Sequence, residues 1–315
     1  MKKVATKKNV LVTGGLGSIG HVLCARLLKD GYGVVIVDDL SVGRKEFLEE
    51  LPGVKFYQCD IADYRNFEKA FSENAIDAVV HLAAKHYIPY CTAHPKEAME
   101  TNIFGTLNTL LLMRQYNVLR LVFASTSSVY KPSVHPYKED DELGPVNFYG
   151  ISKLLCENAI QSLSSEYGIT YTILRFYNAY GPNDLVHHVI PEIVKQARFS
   201  DVIKVGNLDS KRDFIRVEDI VDAIAKCLVN EAAHNNIYNV GTGRALSIRE
   251  VIQAVSKAAH KEFIIEEDEA KKRASDPPML LADASKIALE LGWQADRDFS
   301  LDMVFADTKF WPSSE

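Results

Sequence analysis

The sequence predicts an α/β protein: a doubly wound parallel sheet with helices on both faces, followed by a smaller C-terminal lobe. Three observations carry that expectation. Short apolar runs alternate with helical segments at close spacing through the first half, the pattern of strand–helix–strand units. A glycine-rich turn joins the first strand to the first helix. After Gly181-Pro182 the regular alternation loosens into shorter elements.

The first strand is Asn9–Thr13, and the first helix runs from about Ser18 to Asp30. Gly33–Asp38 is a buried apolar second strand, Val54–Gln58 a third and Ala78–Leu82 a fourth. A long helix follows around Glu97–Tyr116. Leu119–Ser125 is a fifth strand, ending where small hydroxylated residues begin. A helix carrying Tyr149 and Lys153 comes next, then a sixth strand, Tyr171–Phe176. Beyond it, Val189–Arg198 reads as a helix, Val202–Val205 as a short strand and Val217–Asn230 as a helix opening with acidic residues. Ile237–Val240 is a strand returning to the main sheet. Ser247–His260 is a helix with Ser247 as N-cap and Glu250 at the capping-box position. Asp283–Gly292 is a last helix after the Pro277-Pro278 turn. The expected division is a sheet domain over residues 1–180, including the strand near 237–240, and a lobe drawn mainly from 181–315 that closes over the sheet's carboxyl edge.

At 315 residues, 47% of them hydrophobic and 25% charged, the composition is that of an ordinary globular protein. A net charge of −6 with no basic stripe argues against nucleic acid as a partner. The basic start (Lys2, Lys3, Lys7, Lys8) runs into a short strand and a glycine loop rather than an apolar signal core, and no apolar run reaches membrane-spanning length. Five scattered cysteines without a C-x-x-C read as core residues of a reduced, cytoplasmic protein, with no zinc framework. No metal is expected.

Thr13-Gly14-Gly15-Leu16-Gly17-Ser18-Ile19-Gly20 lies between the first strand and helix. It satisfies both Gly-x-Gly-x-x-Gly and Gly-x-x-Gly-x-x-Gly. Without Cβ atoms the backbone turns tightly and approaches a pyrophosphate, which rests on the helix N-terminus in a Rossmann-type fold. The second strand ends in Asp38, eighteen residues past Gly20, where a carboxylate accepts ribose hydroxyls and repels a 2′-phosphate. That favours NAD over NADP. Asp60-Ile61, after the third strand, stands where an adenine contact is expected.

Two further constellations carry chemistry. Tyr149 and Lys153 are four apart on a helix and share a face. An ammonium close to a phenol favours the phenolate and makes tyrosine a usable acid/base at neutral pH. Ser125-Thr126-Ser127-Ser128-Val129-Tyr130 brings hydroxyls to the carboxyl edge of the sheet, where ligands bind in open α/β folds.

Taken with His81-Leu82-Ala83-Ala84 and Arg175-Phe176-Tyr177-Asn178, these motifs resemble the extended short-chain dehydrogenase/reductases, in their nucleotide-sugar branch of the UDP-galactose 4-epimerase type. The likeness runs from Val10 to about Trp293. It implies Thr126, Tyr149 and Lys153 as the catalytic set. It also implies cofactor contacts from Gly14, Gly17, Ser18, Ile19, Asp38, Asp39, Ser41, Asp60, Ile61, Leu82, Ala83, Ala84, Asn102 and Tyr177, with Tyr149 and Lys153. His86, Thr126, Asn178, His188, Arg212 and Arg273 are the implied substrate contacts, the two arginines on the diphosphate. Tyr87 and Tyr90 would help line the sugar pocket.

Departures from the family pattern bear on the substrate. Ser128 stands where the related dehydratases carry a glutamate, so loss of water is not expected. His188 replaces a customary asparagine. Gly206–Asp213 resembles a loop of GDP-sugar enzymes, which puts GDP slightly ahead of UDP. The expected activity is NAD-dependent oxidation at C4 to a 4-keto sugar, with the hydride returned on the other face in a 4-epimerase. The alternatives are a net C4 dehydrogenase of a GDP-sugar in deoxy-sugar, heptose or capsule biosynthesis, and a non-catalytic NAD-binding sensor or scaffold. A homodimer is expected through a four-helix contact, from Leu107, Leu110, Leu111 and Met113 on one helix and Leu154, Leu155, Ala159 and Ile160 on the next.

Overall fold

The first six expected strands all form, within one residue at either end: β1 (Asn9–Thr13), β2 (Gly33–Asp38), β3 (Lys55–Gln58), β4 (Ala78–His81), β5 (Arg120–Thr126) and β6 (Thr170–Phe176). The computed structural model describes residues 8–184, 186, 188–272, 277–302 and 304. Interleaved with the strands are α1 (Ser18–Lys29), α2 (Tyr64–Ser72), α3 (Ile88–Ala93), α4 (Pro95–Met99), α5 (Gly105–Gln115) and α6 (Phe148–Tyr167). Beyond β6 come β7 (Asn178–Tyr180), α7 (Val189–Phe199), β8 (Val202–Val205), β9 (Lys211–Arg216) and α8 (Val217–Val229). Then follow β10 (Asn236–Val240), β11 (Ala245–Ser247), α9 (Ile248–Ala259), β12 (Ile264–Glu267), β13 (Met279–Leu280) and α10 (Ser285–Leu291).

The main sheet is seven-stranded and parallel throughout, in the order β10-β6-β5-β4-β1-β2-β3. The chain builds outward from β1 to β3 and then crosses to β4 on β1's other side. That reversal opens a crevice at the carboxyl ends of β1 and β4, the place where such sheets bind ligands. Side-chain alternation buries both faces of the inner strands, while the edge strand β3 has no buried residue. Val10, Val12, Ile36, Val80 and Val122 pack under α1 and α8, while Leu11, Val37, Val79, Leu121 and Phe123 pack under α2, α5 and α6.

The helix expected over Glu97–Tyr116 forms as α4 and α5 joined by a π-helical turn, Glu100–Phe104. Such turns are frequent at functional positions, and this one holds Asn102 in the interior. Asn147 caps α6 by accepting from Gly150 N–H at 2.9 Å. Gly150 permits a close approach: a Cβ there would lie 2.2 Å from the Ser128 carbonyl oxygen. The first turn of α6, which carries Tyr149, is therefore seated on the turn that follows Thr126. Ser247 and Glu250 form the expected capping box of α9.

In the lobe, β9 pairs with β7 and β13 in parallel and with β11 antiparallel, and β8 pairs with β12. Its own core joins Ile190, Ile193 and Val194 of α7 to Val251, Ile252 and Val255 of α9. By contrast β10 pairs with β6, and Ile220 and Ile224 of α8 with Ile287 of α10 join the core of the main sheet.

The apolar residues expected at a dimer contact divide. Leu110, Met113 and Ile160 are buried in the protein's own core, because α5 and α6 turn those positions toward the sheet. Leu111 and Leu155 are exposed, beside Phe104 and Ile151.

Candidate active site

The glycine loop closes against β4. Gly14 adopts φ +67°, and a Cβ there would lie 2.9 Å from Ala83 N; at Gly20 it would lie 2.0 Å from Gly14 O. Gly17, at the N-cap of the twelve-residue α1, brings no capping side chain. The first-turn N–H groups of α1 therefore have no side-chain acceptor at the cap, which suits an anion such as a pyrophosphate. Gly14, Gly17, Ser18 and Ile19 form one wall of a cleft of about 1320 Å³. Pockets for single ligands run to roughly 300–1,000 Å³, so this larger cleft suits two ligands, a dinucleotide and a second nucleotide.

Asp38, Asp39, Ser41, Asp60 and Ile61 line the same half of the cleft, with Leu82, Ala83 and Ala84 opposite. Asp38 is buried, and its two oxygens accept from Leu16 N and Leu40 N, each at 2.9 Å. Burial raises its carboxyl above the usual range against the pull of those two N–H groups. Each oxygen retains a second lone pair for a ribose hydroxyl. Asp60 caps its own turn through Ala62 N at 2.8 Å. Asn102, implied as a cofactor contact, does not line the cleft. Its amide accepts from Lys85 N (2.8 Å) and donates to Lys85 O (3.0 Å) and Ser152 Oγ (2.9 Å), so it braces the loop after β4 from behind.

Thr126, Tyr149 and Lys153 meet at the cleft floor. Thr126 Oγ accepts from Ser128 N at 3.1 Å, and its hydroxyl stands near enough to the Tyr149 phenol to favour the phenolate. Burial holds the Tyr149 phenol above its ordinary pKa, and the Thr126 hydrogen bond offsets only part of that. Lys153 is itself desolvated and pushed down to about 8, with Nζ 4.3 Å from the centre of the Phe123 ring.

A network that sequence reasoning missed lies behind this floor. Glu157, one turn beyond Lys153, takes Arg175 Nε (3.1 Å) and Nη2 (2.8 Å) on its carboxylate and also the Ser125 hydroxyl. Arg175 Nη1 reaches Tyr130 Oη at 2.9 Å, and Tyr130 donates to Asn239 Oδ1 at 2.7 Å. Ser125 and Arg175 precede Thr126 and Phe176-Tyr177, so the network fixes the carboxyl ends of β5 and β6. Glu157, one helical turn beyond Lys153, was the signal that could have found it.

His86, Asn178, His188 and Arg212 line the cleft as well. His188 Nδ1 lies 3.1 Å from Asp184 Oδ2, and its ring is 5.3 Å from that of His86. Burial lowers His86 to about 4, with His188 adding to the effect. Tyr177 is buried, and its hydroxyl has no hydrogen-bond partner among the described residues. Arg273 lies outside the described residues. Lys85, which crosses the cofactor half of the cleft, was not anticipated from the sequence.

A fold of this kind, with its glycine loop and Thr–Tyr–Lys floor, defines a class that the comparisons identify. The model of the NAD dependent epimerase/dehydratase family matches residues 10–241, and the chain belongs to that family. It is 32% identical to the UDP-glucose 4-epimerase of Bacillus subtilis over 97% of each chain. It is 35% identical to UDP-arabinose 4-epimerase 1 of Arabidopsis thaliana, over 91% of this chain and 75% of that one. Among solved structures, UDP-glucose 4-epimerase from Bifidobacterium longum in complex with NAD+ and UDP superimposes with a TM-score of 0.88 at 29% identity, covering 95% and 97% of the two chains. The protein is an NAD-dependent nucleotide-sugar 4-epimerase, working at C4 through a 4-keto sugar. No helix among the described residues is long and apolar enough to cross a membrane.

Proposed function

We propose that the protein interconverts the C4 epimers of a UDP-sugar, with Tyr149 as acid/base, Thr126 as its proton partner and Lys153 as the charge beside them. The observation that carries this is the convergence of Thr126, Tyr149 and Lys153 on one floor of the cleft, between the glycine loop and the His86–His188 side. Bound NAD supplies the hydride acceptor for C4. Tyr149 acts from its phenolate: Oη takes the proton of the C4 hydroxyl as hydride leaves C4, holds it as the phenol at the 4-keto stage and returns it during reduction, while Thr126 would donate to the phenolate before and after the cycle. Glu157 and Arg175 tie α6, which carries Tyr149 and Lys153, to the strand ends that carry Thr126 and Tyr177. His86, Asn178, His188 and Arg212 form the proposed nucleotide-sugar side, with Arg273 kept as an expected diphosphate contact from the sequence.

The nucleotide is the finer choice. UDP is supported by the names of the relatives, which act on UDP-glucose and UDP-arabinose. A GDP-sugar remains the second reading, because Gly206, Asn207, Ser210 and Arg212 of the loop that resembles GDP-sugar enzymes line the cleft. We also propose a homodimer through the exposed stripe of Phe104, Leu111, Ile151 and Leu155, and a reducing, cytoplasmic setting, supported by five unbridged cysteines.

The test is incubation with UDP- and GDP-sugars, following absorbance of reduced nicotinamide and sugar identity together, with calorimetry for UDP and GDP. The expected result is C4 inversion of a UDP-sugar without lasting NADH, and UDP bound at least about tenfold more tightly than GDP. Tighter GDP binding, or NADH accumulating in proportion to a 4-keto product, overturns it.

A further inference from the structure

The loops that follow β2 and β4 meet across the cofactor half of the cleft, and Lys85 joins them. Its Nζ lies 3.2 Å from Asp39 Oδ2 and 2.8 Å from Ser41 Oγ. The pair is well shielded, the Lys85 and Asp39 side chains being 18% and 30% exposed. The root of Lys85 is held as well, since Asn102 bonds both its N–H and its carbonyl and is itself tied to Ser152, the neighbour of Lys153. This lysine is therefore a placed charge rather than a solvated surface one.

The carboxyl end of β2 is where a Rossmann-type sheet meets the adenosine ribose, and where the 2′ substituent separates the two nicotinamide cofactors. Two carboxylates and this ammonium stand there. Asp38 is engaged inward with Leu16 and Leu40, and a Cβ on Gly43 would come within 2.5 Å of its carboxylate, so it is packed on the loop side too. Asp39 is the more open of the two. Burial works against its charge, but Ser41 and Lys85 together hold its carboxyl below the usual range.

We infer that Asp39 and Lys85 act as a pair that selects the dinucleotide: the Asp39 carboxylate repels a 2′-phosphate and also occupies the ammonium that would otherwise bind one. This rests on the NAD dependence of the chain and moves the discrimination from Asp38 to a residue pair 46 positions apart. Neutralising Asp39 should expose a latent 2′-phosphate site, because a freed, partly shielded ammonium makes a charge-assisted contact with phosphate oxygens.

The experiment compares wild type, Asp39→Asn, Lys85→Met and the double variant, each stripped of bound cofactor and titrated with NADH and NADPH by nicotinamide fluorescence. Asp39→Asn should raise NADPH affinity relative to NADH by about tenfold, between the effects of an exposed and a buried charge pair. The gain should vanish when Lys85→Met is added. An unchanged ratio in Asp39→Asn overturns the inference and returns the discrimination to Asp38. A gain that survives in the double variant overturns the part assigned to Lys85. NADH binding in each variant reports folding of the site, and Asp39→Ser carries the same comparison if Asp39→Asn does not fold.

Discussion

Replacing Glu157 by glutamine tests how the catalytic floor is held. Glu157 and Arg175 have side chains 0% and 2% exposed, and two nitrogens of the guanidinium lie on the one carboxylate. Burial opposes the Arg175 charge, but its bonds to Glu157 and the contact with Tyr130 outweigh that and hold it firmly ionised. Glutamine keeps the shape and removes the charge, so a guanidinium is left uncompensated in the interior. Breaking a buried pair in this way costs about 3–5 kcal/mol. Unfolding entropy of roughly 2.1 cal/mol/K per residue, taken over 315 residues, is about 0.66 kcal/mol/K. Glu157→Gln should therefore lower the midpoint of thermal unfolding by about 5–8 °C, read by circular dichroism at fixed protein and cofactor concentration. Glu157→Leu combined with Arg175→Met removes both charges and should be less destabilised than Glu157→Gln alone. A Glu157→Gln midpoint within about 1 °C of wild type would refute the reasoning, as would a double variant that is less stable than the single one.

Three further outcomes follow from the same geometry. Tyr149→Phe deletes the acid/base oxygen and little else, so turnover should fall by roughly 10²–10⁴ with NAD binding kept; more than a tenth of wild-type activity would sink the assignment. His81 is buried between the hydroxyls of Thr13 (2.7 Å) and Thr106 (3.1 Å), and burial with the nearby Lys153 charge lowers it to about 3. The unfolded chain then binds a proton that the folded one refuses, so stability is lost as pH falls from about 6.5 toward 3, by a few kcal/mol in all. His81→Asn should flatten that acid limb in denaturant titrations, and a limb of unchanged slope would count against it. For the dimer, Leu155→Lys with Phe104→Glu should give monomers by sedimentation velocity where wild type gives dimers; a monomeric wild type at micromolar concentration removes the proposal.

The parts of this protein legible in the sequence are those whose cause is local. β1 and β2 were readable to the residue because strands buried on both faces are continuous apolar runs, as in Val10-Leu11-Val12 and Val34–Val37. The Ser247–Glu250 capping box depends on residues within one turn of each other, and the glycine loop is marked by its own spacing. Thr126, Tyr149 and Lys153 were visible because each sits at a strand end or a helix start that the local pattern marks. What the tertiary structure alone decided are pairings between distant segments. The strand Lys211–Arg216 carries three charged residues in its first three positions and has no apolar signature; it is a strand because β7, β11 and β13 converge on it. Asn102 looked like a cofactor contact, but its inward position in the π-helical turn turns it to the Lys85 backbone. Lys85 itself reads as one surface lysine among many, and Glu157 as one helix acid among several. Their partners, Asp39 and Arg175, are brought to them by the crossover of the sheet and by the register of β5 on β6, which no local periodicity records.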